Sequence, residues 1–126
     1  MEGKLIFQFV PVQDLAKAVE LYRDTLGFSE AWRVGDGTVA FLLPETEVKL
    51  MVEQVEHGSR DAAGPVFLVP SVNQVFNKYK DHLTFLGEPA DTPDGLWLRA
   101  LDQSGNGIYF TDESKAKAEP TSIHVS

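Results

Sequence analysis

Three side chains carry the polar chemistry of a possible binding or reaction site: Lys49, Arg99 and Tyr109. Lys49 sits in the alternating run Glu47-Val48-Lys49-Leu50-Met51-Val52, and Arg99 in Leu96-Trp97-Leu98-Arg99-Ala100-Leu101. Alternate side chains of a strand share a face. Val48, Leu50 and Val52 therefore define a core face, and Glu47, Lys49 and Met51 the opposite one. The same parity turns Trp97, Arg99 and Leu101 away from Leu96, Leu98 and Ala100, and separates Tyr109 from Ile108 and Phe110. Two cations beside a phenol could polarise a carbonyl and protonate it, or hold a carboxylate, phosphate or enolate oxygen.

Flat apolar groups collect on the same faces. Phe7 and Phe9 point opposite to Ile6, Val10 and Val12, and Trp32, Met51 and Trp97 join them. The run 38–43 is ambiguous in parity, and a repeat offset of 60 sets Val39 and Phe41 opposite Arg99 and Leu101. The expected ligand-binding set is thus Phe7, Phe9, Trp32, Phe41, Lys49, Met51, Trp97, Arg99 and Tyr109. Each aromatic contact adds about 0.5–1.5 kcal/mol beyond the area buried. The plainer alternative is that the two faces close on each other as ordinary core, which would leave Lys49 and Arg99 as buried charges in need of partners.

Other chemistries lack their residues. There is no cysteine, which excludes disulfides, thiol nucleophiles and cysteine-bound zinc. His57, His82 and His124 fall in a linker, a helix end and the tail, with no H-x-H or H-x-x-x-H pair to converge on a metal. No nucleophile elbow or phosphate loop is present. Gly35-Asp36-Gly37 and Gly105-Asn106-Gly107 are hairpin turns. Glu45, Glu47, Glu53 and Glu56 read as a solvated edge from which Glu47 or Glu53 could reach the cleft. No metal and no cofactor is expected.

The elements that must position these residues come as a repeated phrase. Residues 5–12 form an apolar strand ending near Pro11. Asp14 caps a helix, on which Leu15, Ala18, Val19, Tyr22 and Leu26 make one stripe, and Gly27-Phe28 closes it. Residues 66–69 are again a strand, Ser71 a cap, and Val72, Val75, Phe76, Tyr79 and Leu83 a stripe, 57 residues further on. Strand, cap and stripe aligned at one offset indicate an internal duplication. Strands over 29–34, 38–43 and 48–53 complete a first βαβββ unit, 1–54. Residues 55–63 link it to a second, 64–112, whose helix closes at Leu86-Gly87, three residues later than in the first copy. A polar tail, 113–126, follows, in which Ser122 to Val125 could add to a sheet edge.

The 126 residues suit one domain. Hydrophobic content is 43% and charged content 24%, an ordinary globular mix. Net charge is −8, which argues against nucleic acid as a partner. The start of the chain has neither a signal peptide's pattern nor a membrane span's, so a cytoplasmic location without a membrane partner is expected.

The stretch VPVQDLAKAVELYRDTLGF at 10–28 and DQSGNGIYF at 102–110 resemble the opening and closing motifs of the vicinal oxygen chelate superfamily, which includes glyoxalases, extradiol dioxygenases and bleomycin resistance proteins. The resemblance implies an α+β fold: two βαβββ modules forming curved mixed sheets around a cleft, commonly in a homodimer. It also implies four metal-ligand positions, which here carry Phe7, Lys49, Gly64 and Tyr109; a slip of one residue would bring in only Gln8 and Pro65. None of the four is a normal divalent-metal ligand, and an ammonium at Lys49 would repel a cation. What remains is similar to the metal-free drug-binding branch, with sequestration of a small aromatic or amphiphilic molecule by stacking. Lys49 and Arg99 favour an anionic ligand. The alternative is a lyase, isomerase or dioxygenase of the same superfamily, metal-dependent through Glu47, Glu53 or His57, or metal-free through Tyr109, Arg99 and Lys49.

Overall fold

A computed structural model of the chain describes residues 1–115. The expected edge strand at Ser122 to Val125, and His124, lie outside the described residues. The elements run β1 (Lys4–Val12), α1 (Leu15–Val19), a π-helical segment (Glu20–Thr25), β2 (Glu30–Val34), β3 (Thr38–Leu42) and β4 (Lys49–Gln54). The second half follows as β5 (Gly64–Leu68), α2 (Val72–Tyr79), β6 (Thr84–Phe85), β7 (Ala90–Asp91), β8 (Leu96–Leu101) and β9 (Gly107–Thr111).

All strands belong to one mixed sheet in the order β2-β3-β4-β1-β5-β9-β8-β6, with β7 also on β8. Each half pairs its first strand parallel to its last, β1 with β4 and β5 with β9, and the halves join through the antiparallel pair β1–β5. The helices cover one face. Leu15, Ala18 and Val19 of α1 pack on Val39, Phe41 and Val52 of the sheet. Val72 and Val75 of α2 pack on Val69, Leu98 and Phe110. The other face gathers Phe7, Phe9, Val66 and Tyr109, with Ile6, Trp32, Met51 and Trp97 at its margins. Strands stand about 4.8 Å apart, and both β2 and β8 are three strands from β1. Yet Trp32 reaches Phe7 at 5.7 Å between ring centroids, and Trp97 reaches Phe9 at 6.1 Å. The sheet curls around β1 and β5, and this inner face is the cleft.

Three sequence expectations are corrected. The first helix does not continue as one stripe to Leu26. After Val19 it widens, with Leu26 N–H bonding Leu21 O and Phe28 N–H bonding Tyr22 O. The wider turn rotates Leu26 out to 53% exposure while Tyr22 packs on Phe41. A bulge between Leu5 and Phe7 turns Ile6 toward the cleft side. The third correction concerns the three-residue insertion, expected at Leu86-Gly87. Phe9 pairs Met51, and its mate 57 residues on, Val66, pairs Tyr109, so β4 and β9 correspond at 58 residues (51 to 109). Ala40 pairs Met51 and Arg99 pairs Tyr109, so β3 and β8 correspond at 59 (40 to 99). The second copy therefore gains two residues rather than three before β8 and loses one in the β8–β9 hairpin, and Thr84-Phe85 is a strand rather than a helix end. With the right offset Val39 and Phe41 match Leu98 and Ala100. They lie under the helix, not in the cleft.

Candidate functional site

Around the position of Tyr109 the cleft is filled by the protein itself. The Tyr109 ring has no exposed surface, lies 4.6 Å from Phe9 and stacks on Trp97 at 5.4 Å with a 22° interplanar angle. Its hydroxyl donates to Ala62 O at 2.6 Å and accepts from Ala62 N–H at 3.2 Å. Burial, with the Asp61 charge next, pushes the phenol up to about 12, so it is a neutral hydrogen-bonding post and a weak acid. The linker thus closes over one end of the cleft.

Gly64, at the start of β5, is buried against Gly107. A β-carbon there would overlap the Gly107 carbonyl and come within 3.0 Å of its Cα, and these contacts are all backbone, with no side chain able to rotate away. Of the four positions where a metal ligand is implied, Gly64 therefore has no room for a side chain. Tyr109 has its oxygen committed to Ala62, Phe7 is a hydrocarbon ring, and Lys49 is cationic. Among the described residues no three His, Asp or Glu side chains converge on a common cation position. The donor set does not fit a divalent ion.

Arg99 is engaged as well. Its guanidinium donates to Asp61 at 2.8 Å and to Leu86 O at 2.8 Å. This pair borders a cavity of about 660 Å³ between the linker residues Gln54 to Asp61 and the Phe85-Leu86-Gly87 corner. His57 is there, bonded to Gln13. Glu53 lies on the same side, with its carboxyl raised by burial against the Thr38 hydroxyl bond that lowers it. Lys49 is half-buried in register with Phe7. His82 is exposed at the far end of α2.

At the opposite end the cleft is open. A cavity of about 420 Å³ lies between Trp32 and Trp97, over Ile6, Phe7 and Met51, with Leu68 behind. Trp32 meets Phe7 edge-on at 80°, which holds one wall. Trp97 is held by its stack on Tyr109. The Trp32 indole N–H is buried and has no hydrogen-bond acceptor among the described residues. Along the rim stand Arg33, Asp94, Asp112 and Glu113. Arg33 is tied to Glu30 through two bonds, 3.1 and 2.9 Å. Asp112 is buried and accepts from Val72 N–H at 2.7 Å, Leu96 N–H at 2.9 Å and the Ser114 hydroxyl at 2.7 Å. Burial alone would raise its carboxyl, but these bonds together hold it below the ordinary value.

Of the sequence-derived set, Phe7, Trp32, Met51 and Trp97 meet at this cavity. Phe9 and Tyr109 form the packed floor beside it, Arg99 belongs to the other end, and Phe41 is on the other face. Sequence reasoning missed Asp94, Asp112 and Glu113. The only signal was the Pro93-Asp94-Gly95 turn, and nothing in the sequence ties that turn to the end of β9.

The glyoxalase/bleomycin resistance protein/dioxygenase superfamily model matches residues 5–110. No curated protein matches the chain. Similar solved structures include an NAD-dependent benzaldehyde dehydrogenase from Legionella pneumophila, 18% identical, covering 86% of this chain and 98% of that one, with a TM-score of 0.67. The methylmalonyl-CoA epimerase from Mycobacterium tuberculosis is 16% identical over 87% of each chain, with a TM-score of 0.63. A superfamily member from Vibrio splendidus 12B01 is 17% identical, with 89% and 99% covered and a TM-score of 0.58. At these identities the likeness is one of fold. Among the described residues no helix is long and apolar enough to cross a membrane. With a family match that spans both halves of the curled sheet, the chain belongs to the glyoxalase/bleomycin resistance protein/dioxygenase superfamily.

Proposed function

We propose that this chain binds and sequesters a small aromatic or amphiphilic molecule, without a metal, in the cavity between Trp32 and Trp97. The observation that carries the reading is the pairing of the walls. The sequence has two tryptophans, and both frame this one space, one from each half of the sheet. Its volume of about 420 Å³ falls in the range of small-molecule sites, and an apolar interior with a few polar rim groups is their usual make-up. The unpartnered Trp32 N–H supports the same reading, because a buried donor without an acceptor costs about 1–3 kcal/mol. A catalytic reading has less support. Tyr109, Arg99 and the Gly64 position are all taken up by contacts within the chain.

A thermal-shift screen of planar aromatic compounds tests this. A ligand present at a hundred times its Kd adds about 2.7 kcal/mol to apparent stability, and Trp97→Ala should abolish the shift for every compound that gives one. If compounds stabilise Trp97→Ala as well as they stabilise the wild type, the cavity is not where they bind.

A further inference from the structure

The cavity has a charge as well as a shape. Resting on the reading of the Trp32–Trp97 space as the binding site, we propose that its ligand is a cation: an aromatic body between the tryptophans, with a protonated amine directed at Asp94 and Glu113. The expectation of an anionic ligand depended on Lys49 and Arg99. Arg99 lies at the other end and is neutralised by Asp61, and Lys49 is not among the residues lining the Trp32–Trp97 cavity.

The charges that do line it are Arg33 against Asp94, Asp112 and Glu113. Arg33 is matched by Glu30, and the nearby Lys115 ammonium by Asp91. Asp94 and Glu113 are exposed and have neither an ion pair nor a side-chain hydrogen bond among the described residues.

Their positions are built rather than incidental. Thr92 closes the Asp94 turn, with Thr92 N–H to Gly95 O at 2.8 Å and Gly95 N–H to the Thr92 hydroxyl at 3.1 Å. The Lys115 N–H donates to Asp94 O at 3.0 Å, which draws the segment after β9 against this turn. Asp112 clamps Leu96 on one side and Ser114 on the other, so the two free carboxylates stand at one mouth before any ligand arrives. Behind them the tryptophan faces attract a cation through their ring quadrupoles. The chain's net charge of −8 favours a cation's approach over an anion's.

Three probes of one shape separate the terms: naphthalen-2-ylmethylammonium, naphthalen-2-ylmethanol and naphthalene-2-carboxylate, each titrated calorimetrically into the full chain. At about 50 mM salt the ammonium should bind tightest, by roughly fivefold over the alcohol for one exposed charge pair. That margin should shrink at about 500 mM salt. In Asp94→Asn/Glu113→Gln the ammonium should fall to the alcohol's affinity, while the alcohol's own affinity stays within about twofold, the limit set by its lack of charge. Tightest binding of the carboxylate, or an ammonium preference that survives the double substitution, overturns the charge inference and leaves the cavity reading standing. If none of the three binds, or all bind Trp97→Ala unchanged, both fall.

Discussion

Gly64→Ala offers the sharpest test of how this cleft departs from a metal-binding one. The new methyl would sit inside the Gly107 carbonyl and 3.0 Å from the Gly107 Cα. Both partners are backbone, so relief requires β5 and β9 to part. That movement loosens the Gly107 N–H to Ala63 O bond of 3.2 Å and shifts the linker on which the Tyr109 hydroxyl is anchored. Overpacking a tight interior costs about 1–3 kcal/mol, and each strained hydrogen bond adds about 1 kcal/mol. The sum is about 2–5 kcal/mol against a total stability of roughly 5–15 kcal/mol. In urea, where small proteins lose about 1–3 kcal/mol per molar, the unfolding midpoint should fall by about 1 M or more. A second variant, Gly64→His/Tyr109→Glu, puts ligand-type residues back at two of the implied positions. Ni²⁺ should nonetheless fail to stabilise it, because the imidazole has no space to occupy. An unfolding midpoint for Gly64→Ala within about 0.3 M of wild type, equivalent to less than about 1 kcal/mol, would refute the packing argument. So would stoichiometric Ni²⁺ stabilisation of the double variant.

Tyr109→Phe keeps the stack on Trp97 but leaves the Ala62 N–H and C=O without their partner. It should cost about 1–3 kcal/mol and lower Tm by about 4–10 °C with tryptophan emission unchanged; an unaltered Tm would count against the linker's being pinned there. Asp112→Asn removes a charged acceptor from three donors and should cost about 1.5–3 kcal/mol at neutral pH. The Asp112 carboxyl is lowered by folding, so its contribution is present above the ordinary value of 3.8 and is lost as pH falls below it. The gap in Tm between wild type and Asp112→Asn should therefore narrow on acidification below that value, and a constant gap would mean that the charge plays no part.

Much of this architecture was legible from local pattern. Asp14 and Ser71 cap the two helices as their residue types require, accepting from Lys17 N–H and Gln74 N–H. Strand alternation put Phe7, Met51, Trp97 and Tyr109 on one face and Leu50, Val52, Leu98 and Phe110 on the other, because side chains of a strand alternate whatever the strand pairs with. Phe41 went astray for a physical reason. Its parity was borrowed from the second half through an offset of 60, and the pairing of the strands makes that offset 59 at β8, which exchanges the two faces. Register is a property of pairing between strands, and no single strand contains it.

The sequence alone determined the kind of protein: a duplicated α+β chain with an aromatic inner face and no metal-ligating side chains at the four implied positions. Tertiary structure alone decided which of those residues are available. It spent Tyr109 and Arg99 on the linker, sealed Gly64 against Gly107, and carried Asp94 and Glu113 to the mouth beside Trp32 and Trp97. The reason is separation along the chain. Alternation and capping act within a few residues, whereas contacts such as Asp61 with Arg99, or Asp112 with Val72, form across about 40 residues (38 and 40) and exist only once the sheet has curled.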